Sequence, residues 1–312
     1  MQYYNEVYSA NGTVLSIDKV CLDFEFFYSG DSLGQKFMRF LQESLSLDFA
    51  SWINTSIGSY RYQYSIKCHG GNSFWVGLAF NGGGKPDIKK ARLEFNPNKV
   101  GQDTIFVKIF DALCRLSKPP NISRWDLAVD YPVNRKNVFL IKDGRSYQEF
   151  RNSMEDRTQY LGRHNNHGFV KLYNKQFESK LPIPLTRLEL TLDYALSDFG
   201  MMQKVFPKVV LIDDMQMRFD HEKMTDTDRY IMYTAMDNSE LLGILSWRKR
   251  EKIERIMERY AQRLEILESD YNKIIVALQK FVKPFEQDLI WNPLSHEYDF
   301  LEDWNEDYEE KR

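Results

Sequence analysis

Alternation of polar and apolar residues over short segments bounded by glycine or proline is what most restricts the fold open to this chain. Residues 14–27 (VLSIDKVCLDFEFF) and 60–81 (YRYQYSIKCHGGNSFWVGLAFN) show it, rich in β-branched and aromatic side chains, with HGGN as a hairpin turn. The pattern returns at ARLEFNP, RWDLAVDYP, QYLGRH, GFVKLYNKQFE and TRLELTLDY. Successive strand side chains point to opposite faces, so each segment offers one face to a core and one to water. Helical spacing intervenes at Phe37, Phe40, Leu41 and Leu45 within 33–49, and over DTIFVKIFDALCRL before Pro119 and Pro120. These elements predict an α+β fold, a curved and mostly antiparallel sheet with flanking helices. ARLEF near residue 93 resembles TRLELTL near residue 189; an internally duplicated β-rich unit and a chance match of five residues both account for it.

From about residue 200 the pattern turns helical. Ile253, Met257, Tyr260, Leu264, Leu267, Tyr271, Ile274, Leu278 and Phe281 alternate steps of four and three, with no Gly or Pro before Pro284. This predicts one long C-terminal helix with an apolar seam, used either inside its own domain or in a coiled coil with a second copy.

The net charge of −3 argues against a polyanion as partner until its distribution is considered. Residues 297–312 carry eight acids against Lys311 and Arg312, a charge of −6 that leaves the rest of the chain at +3. Arg248, Lys249, Arg250, Lys252 and Arg255 open the long helix with an excess of cations, fit either to track a phosphate backbone or to form a solvated face. The expected organisation is a β-rich half over 1–120, a catalytic sheet over 121–200, a helical region over 201–295 for DNA contact or dimerisation, and an acidic tail over 296–312. Without a long apolar run or a basic, apolar N-terminus, a cytoplasmic protein with no membrane partner is expected. Cys21, Cys68 and Cys114 stand apart on apolar segments and read as small core residues.

Three strands of the second half carry polar side chains on one face. Arg124, Asp126 and Asp130 share a side of RWDLAVD; Lys171, Tyr173 and Lys175 share a side of FVKLYNK; Arg187, Glu189 and Thr191 share a side of RLELT. With those faces aligned, a tyrosine lies beside carboxylates and is flanked by cations. A phenol with a reference pKa near 10 attacks poorly unless a base or cation favours the phenolate. Two carboxylates can hold a divalent ion that polarises a phosphate, and Lys and Arg offset charge on a transferring phosphoryl group. Ordinary cross-strand ion pairs account for the same residues. His164 and His167 in HNNH read as a turn with imidazoles near DNA rather than as zinc ligands, and NGGGKP at 81–86 reads as a turn rather than a phosphate loop.

In their order over about 70 residues, RWDLAVDYP, QYLGRH, KLYNKQFE and TRLELTL resemble the Rep_trans-type replication initiators of Gram-positive rolling-circle plasmids, a family that includes relaxases of conjugative transposons. VLSIDKVCLDFEF is similar to the family's start, while Arg163 and His164 stand where it often has Ser and Arg. The resemblance implies a metal-dependent endonuclease that nicks and rejoins one strand of origin DNA, single-stranded or in a hairpin, through a phosphotyrosine. It makes Tyr173 the nucleophile, Asp126 and Glu189, with Asp130, the ligands of Mg²⁺ or Mn²⁺, and Lys175, Arg124 and Arg187 the groups that stabilise charge. Lys171, Arg163 and His164 join the basic helix as DNA contacts, and a homodimer working with a host or element helicase is expected. A relaxase with the same chemistry and a DNA-binding protein that does not cut are the alternatives.

Overall fold

The computed structural model describes residues 6–10, 12–27, 33–45, 60–80, 88–151, 156–211, 224–237, 241–260, 262–263 and 266–282. The NGGGKP turn and the acidic tail lie outside these residues. The chain divides into two compact units, the first formed by Met1–Asn5, Ile17–Trp125 and Ile275–Arg312, the second by Glu6–Ser16 and Asp126–Ile274.

The chain runs through β1 (Glu6–Tyr8), β2 (Val14–Glu25), α1 (Leu33–Leu45), β3 (Tyr60–Lys67), β4 (Ser73–Phe80), β5 (Ile88–Phe95), α2 (Pro97–Val100), α3 (Thr104–Leu116) and β6 (Asn121–Tyr131). In the first unit the hydrogen-bonded order is β3-β4-β5-β2-β6, a meander whose last strand returns to β2. Leu22 faces Leu93 and Leu93 faces Val76 across these ladders, and all three are buried. That apolar face is covered by helices: Phe37 of α1 lies 5.9 Å from Phe26, and Phe106 of α3 lies 5.2 Å from Phe74 and 4.6 Å from Phe95, ring centre to ring centre. Each fully buried Phe or Leu contributes about 1.5–3 kcal/mol, so this face holds the unit together. Asp103 starts α3 by accepting the N–H groups of Ile105 and Phe106.

The second unit continues with β7 (Val138–Leu140), β8 (Tyr147–Arg151), β9 (Arg157–Leu161), β10 (Val170–Asn174), α4 (Lys175–Ser179), β11 (Thr186–Asp193), α5 (Phe199–Val205), β12 (Val209–Leu211), α6 (Asp226–Asp237), α7 (Leu241–Ile244), α8 (Trp247–Tyr260), β13 (Gln262–Arg263) and α9 (Glu268–Gln279). Its order, β6-β11-β10-β9-β8, is again a meander whose last strand returns to the unit's first. With β1 on β2 the strands make an open, antiparallel sheet of ten, so the fold is α+β. ARLEF lies on β5 and TRLEL on β11, the same place in each unit, so the likeness of those segments falls on topologically equivalent strands.

Two expectations are corrected. The strand through 169–175 stops at Asn174, whose side chain accepts the N–H of Phe177 at 3.0 Å and caps α4, so Lys175 belongs to a helix and not to the strand face. The seam from Ile253 to Phe281 is not one helix. Gln262 and Arg263 leave the helical path to pair with β12 in a second, three-stranded sheet, β13-β12-β7. Helix then restarts with Glu268 and Asp270 in its first turn, acids at the positive end of the dipole. The seam divides accordingly: Ile253 packs with Ile256, Phe139, Met232, Ala235 and Leu242, Tyr271 donates its hydroxyl to the Ser197 carbonyl, and Leu267 is 48% exposed. The three cysteines are buried, as expected of core residues. Among the described residues no helix is long and apolar enough to cross a membrane.

Candidate active site

Ladder partners in an antiparallel sheet share a face, and the pairing of β10 with β11 sets Tyr173 against Arg187 and Lys171 against Glu189. The Tyr173 hydroxyl donates to Glu189 Oε1 at 2.7 Å. Lys171 Nζ lies 3.6 Å from Glu189 Oε2 and 4.0 Å from the centre of the Tyr173 ring. Lys175, from the first turn of α4, brings its Nζ to 5.8 Å from that ring and pairs with Glu178 at 2.5 Å. Arg187 donates from Nε and Nη2 to the two oxygens of Asp130 on β6, at 2.7 and 2.6 Å, the fork geometry of a strong pair.

Tyr173 is 5% exposed. Burial first, then the charge and hydrogen bond of Glu189, push its phenol above the ordinary 10.0, and the opposing pull of Arg187 is smaller. The oxygen therefore stays protonated near neutrality, with the Glu189 carboxylate at hydrogen-bond distance to accept its proton.

The divalent ion implied by the resemblance would need Asp126, Glu189 and Asp130 as oxygen donors. Glu189 is shared between Tyr173 and Lys171, and Asp130 has both oxygens on Arg187. Among the described residues no three His, Cys, Asp or Glu side chains come together as an ion-holding group. As placed, Glu189 and Asp130 serve the protein's own cations and do not form a fit for a divalent ion, which would have to displace Lys171 or Arg187. Asp126 is half-buried on β6. Arg124, on the same strand, donates to Glu94 Oε1 of β5 at 3.4 Å and to Cys21 Sγ at 3.5 Å.

The loop between β9 and β10 turns on three left-handed residues, Gly162, Asn165 and Gly168, with φ of 86°, 65° and 77°. Arg163 and His164 are exposed on it, the His164 ring 5.2 Å from that of Phe169, while His167 Nδ1 accepts the Asp193 N–H at 3.1 Å. The two imidazoles thus have separate partners. On α8, Lys249 and Lys252 both hold Asp228, Arg250 pairs with Glu254, and Arg255 pairs with Glu251, so much of the positive charge read there is compensated locally; Arg248 is exposed. Sequence reasoning missed the direct bond from Tyr173 to Glu189 and a row of rings, Phe150, Tyr160 and Phe169, beside it. The row had a signal in part: Phe169 stands two residues before Lys171, on the face already read for that strand, and Tyr160 lies in the QYLGRH strand.

No known family pattern matches the chain and no curated protein is similar to it. The structure of a rolling circle replication initiator protein from Geobacillus stearothermophilus is similar at 17% identity over 58% of this chain and 75% of that chain, with a TM-score of 0.32. So distant a likeness leaves the chemistry of the site to its own geometry.

Proposed function

We propose that the protein nicks and rejoins one DNA strand through a phosphotyrosine at Tyr173, as the initiator of rolling-circle replication. The observation that carries this reading is the 2.7 Å bond from the Tyr173 hydroxyl to Glu189, with two lysine ammoniums over the phenol ring. The ordered motifs of the sequence supply the substrate class, and the geometry supplies a way to act on it.

A phosphodiester approaching the site draws Lys171 and Lys175 from the ring toward its own charge, which uncovers the phenol oxygen. The oxygen attacks phosphorus as its proton passes to Glu189. A bond from Tyr173 to phosphorus forms, the bond from phosphorus to the leaving sugar oxygen breaks, and that oxygen takes a proton from water. The lysines offset charge on the transferring phosphoryl group. Because the ester keeps a phosphodiester's bond energy, the reverse attack by a sugar hydroxyl reseals the strand while Glu189 returns the proton. Glu189 is thus a base in this scheme, where the resemblance makes it a metal ligand.

The test is a supercoiled plasmid bearing the replicon that encodes the chain, scored for open circles and for a covalent adduct that survives denaturation, with and without added Mg²⁺ or Mn²⁺. Wild type forms both products and Tyr173→Phe forms neither; an adduct in that variant removes Tyr173 from the reaction. A protein that binds DNA without cutting is the second reading, favoured by the burial of Tyr173 and by the same upward push on its phenol. It expects binding, no open circles and no adduct under any ion.

A further inference from the structure

Beside the tyrosine, three rings on the same sheet face and a fourth from the β9–β10 loop form a continuous row. Phe150 of β8 and Tyr160 of β9 meet edge to face at 5.8 Å; Tyr160 and Phe169 stack at 5.9 Å with their planes 22° apart; His164 meets Phe169 edge to face at 5.2 Å. Tyr160 is the ladder partner of Lys171, and Phe150 is the partner of Thr158, two residues from Tyr160. The row therefore passes next to the lysine that covers Tyr173 at Tyr160, and runs from there to the edge strand on one side and to the β9–β10 loop on the other. It ends in water: Phe150 is 61% exposed and His164 is exposed. One exposed apolar side chain needs no explanation, but a row of adjoining rings that leads away from a nucleophile does.

We infer that this row is a stacking platform for the unpaired bases of single-stranded DNA, and that it leads the strand to Tyr173; the inference rests on the reading of the site as a DNA-cutting centre. Charge separates this occupant from others. On β8, β9 and β10 the face holds Gln148, Thr158 and Lys171 among the rings and no acid, while Glu149 lies on the opposite face with Arg157, 2.6 Å from its Nε. Arg163 stands exposed beside His164. Rings for base faces, with the exposed Arg163 beside them and Lys171 shared with Glu189 at the Tyr173 end, offer a single strand both stacking surfaces and cations for its phosphates. A duplex keeps its base faces inside its own stack and cannot use the rings.

The experiment is fluorescence anisotropy on the full chain with a labelled oligodeoxythymidylate, and with the same label on a blunt duplex. Phe150→Ala removes an exposed ring from an edge strand, and circular dichroism checks that the fold is kept. Expected is a roughly tenfold loss of affinity for the single strand, the effect of one lost base stack, with duplex binding unchanged. Phe150→Trp keeps wild-type affinity and Phe150→Leu behaves as the alanine variant, because a π face is needed and not apolar bulk. Unchanged single-strand affinity in the alanine and leucine variants overturns the platform. So does an equal loss on duplex, or a change in sedimentation that shows the ring to bind a second copy. The covalent adduct is scored in parallel: an adduct indifferent to residue 150 with unchanged affinity leaves the chemistry and removes the platform. A ring-dependent affinity without any adduct keeps the platform and removes the strand transfer.

Discussion

The two β-rich units put the same kind of strand in the same place and surround it differently. On β5, Asp23 of β2 grips Arg92 through bonds of 2.6 and 2.7 Å; on β11, Asp130 of β6 grips Arg187 through bonds of 2.7 and 2.6 Å. Two residues further on, Glu94 is held by Lys19 at 2.6 Å, whereas Glu189 receives the hydroxyl of Tyr173 at 2.7 Å. Four positions before the gripping aspartate stands Lys19 in one unit and Asp126 in the other. Across the meander, Gly77 faces Arg92 where Tyr173 faces Arg187, and Trp75 faces Glu94 where Lys171 faces Glu189. A Cβ on Gly77 would come within 2.2 Å of the Trp75 indole, so that ring occupies the space in which a side chain at 77 would stand. The Asp–Arg clamp recurs with Gly77 in place of a tyrosine opposite the arginine, and the tyrosine that does approach it, Tyr60, donates to Asp23 at 3.5 Å and not to a glutamate, so the clamp belongs to the scaffold. The environment of the glutamate is what differs: a short bond to lysine holds the charge of Glu94, while Glu189 is turned to a proton it can accept.

Changing the two glutamates breaks this comparison most sharply. Glu189→Gln lowers the rate of adduct formation by about 10²–10⁴, the range for a lost general base, and Glu94→Gln leaves it unchanged; single-turnover adduct assays separate them, and equal losses make both carboxylates structural. The clamps come next. Arg187→Ala leaves Asp130 deeply placed without its cation and destabilises by about 3 kcal/mol. Arg92→Ala uncovers the more exposed Asp23 and costs about 1 kcal/mol; urea unfolding of both variants measures the gap. Asp126→Lys places in the second unit the residue type the first has at Lys19, so a lysine competes for Glu189 and slows the adduct roughly tenfold, the scale of one charge-assisted bond.

The smallest effect is in alkali. The Tyr173 phenol holds its proton more tightly in the folded than in the unfolded chain, so its contribution to stability is complete below the ordinary value of 10.0 and is lost as pH rises above it. Tyr173→Phe, which cannot ionise, is expected to unfold at slightly higher pH than wild type in an alkaline titration followed by tyrosinate absorbance. A Tyr60→Phe variant shifts it less, since that phenol is raised by burial and Asp23 but opposed by Arg92.

Legibility followed distance along the chain. Strands β2 to β6 and β11 lie where alternation put them, because alternation is a property of a few successive residues, and α3 begins at Asp103 because the cap is local too. The helix expected through 253–281 was illegible for the opposite reason. Apolar residues at heptad spacing satisfy a helix, yet the backbone groups of Gln262 and Arg263 find partners on β12, about fifty residues upstream, which no local pattern announces. Lys175 was placed on a strand because period two continues through it; the Asn174 side chain that ends the strand is a single contact.

What the sequence by itself determined is which side chains travel together: Lys171 with Tyr173, Arg187 with Glu189, Asp126 with Asp130. Those sets follow from the two-residue period of a strand. Only the tertiary structure decided how the sets combine, with Tyr173 on Glu189 and Arg187 on Asp130, because strand order and register are set by backbone hydrogen bonds between distant segments, and a shift of one residue would turn every side chain to the other face.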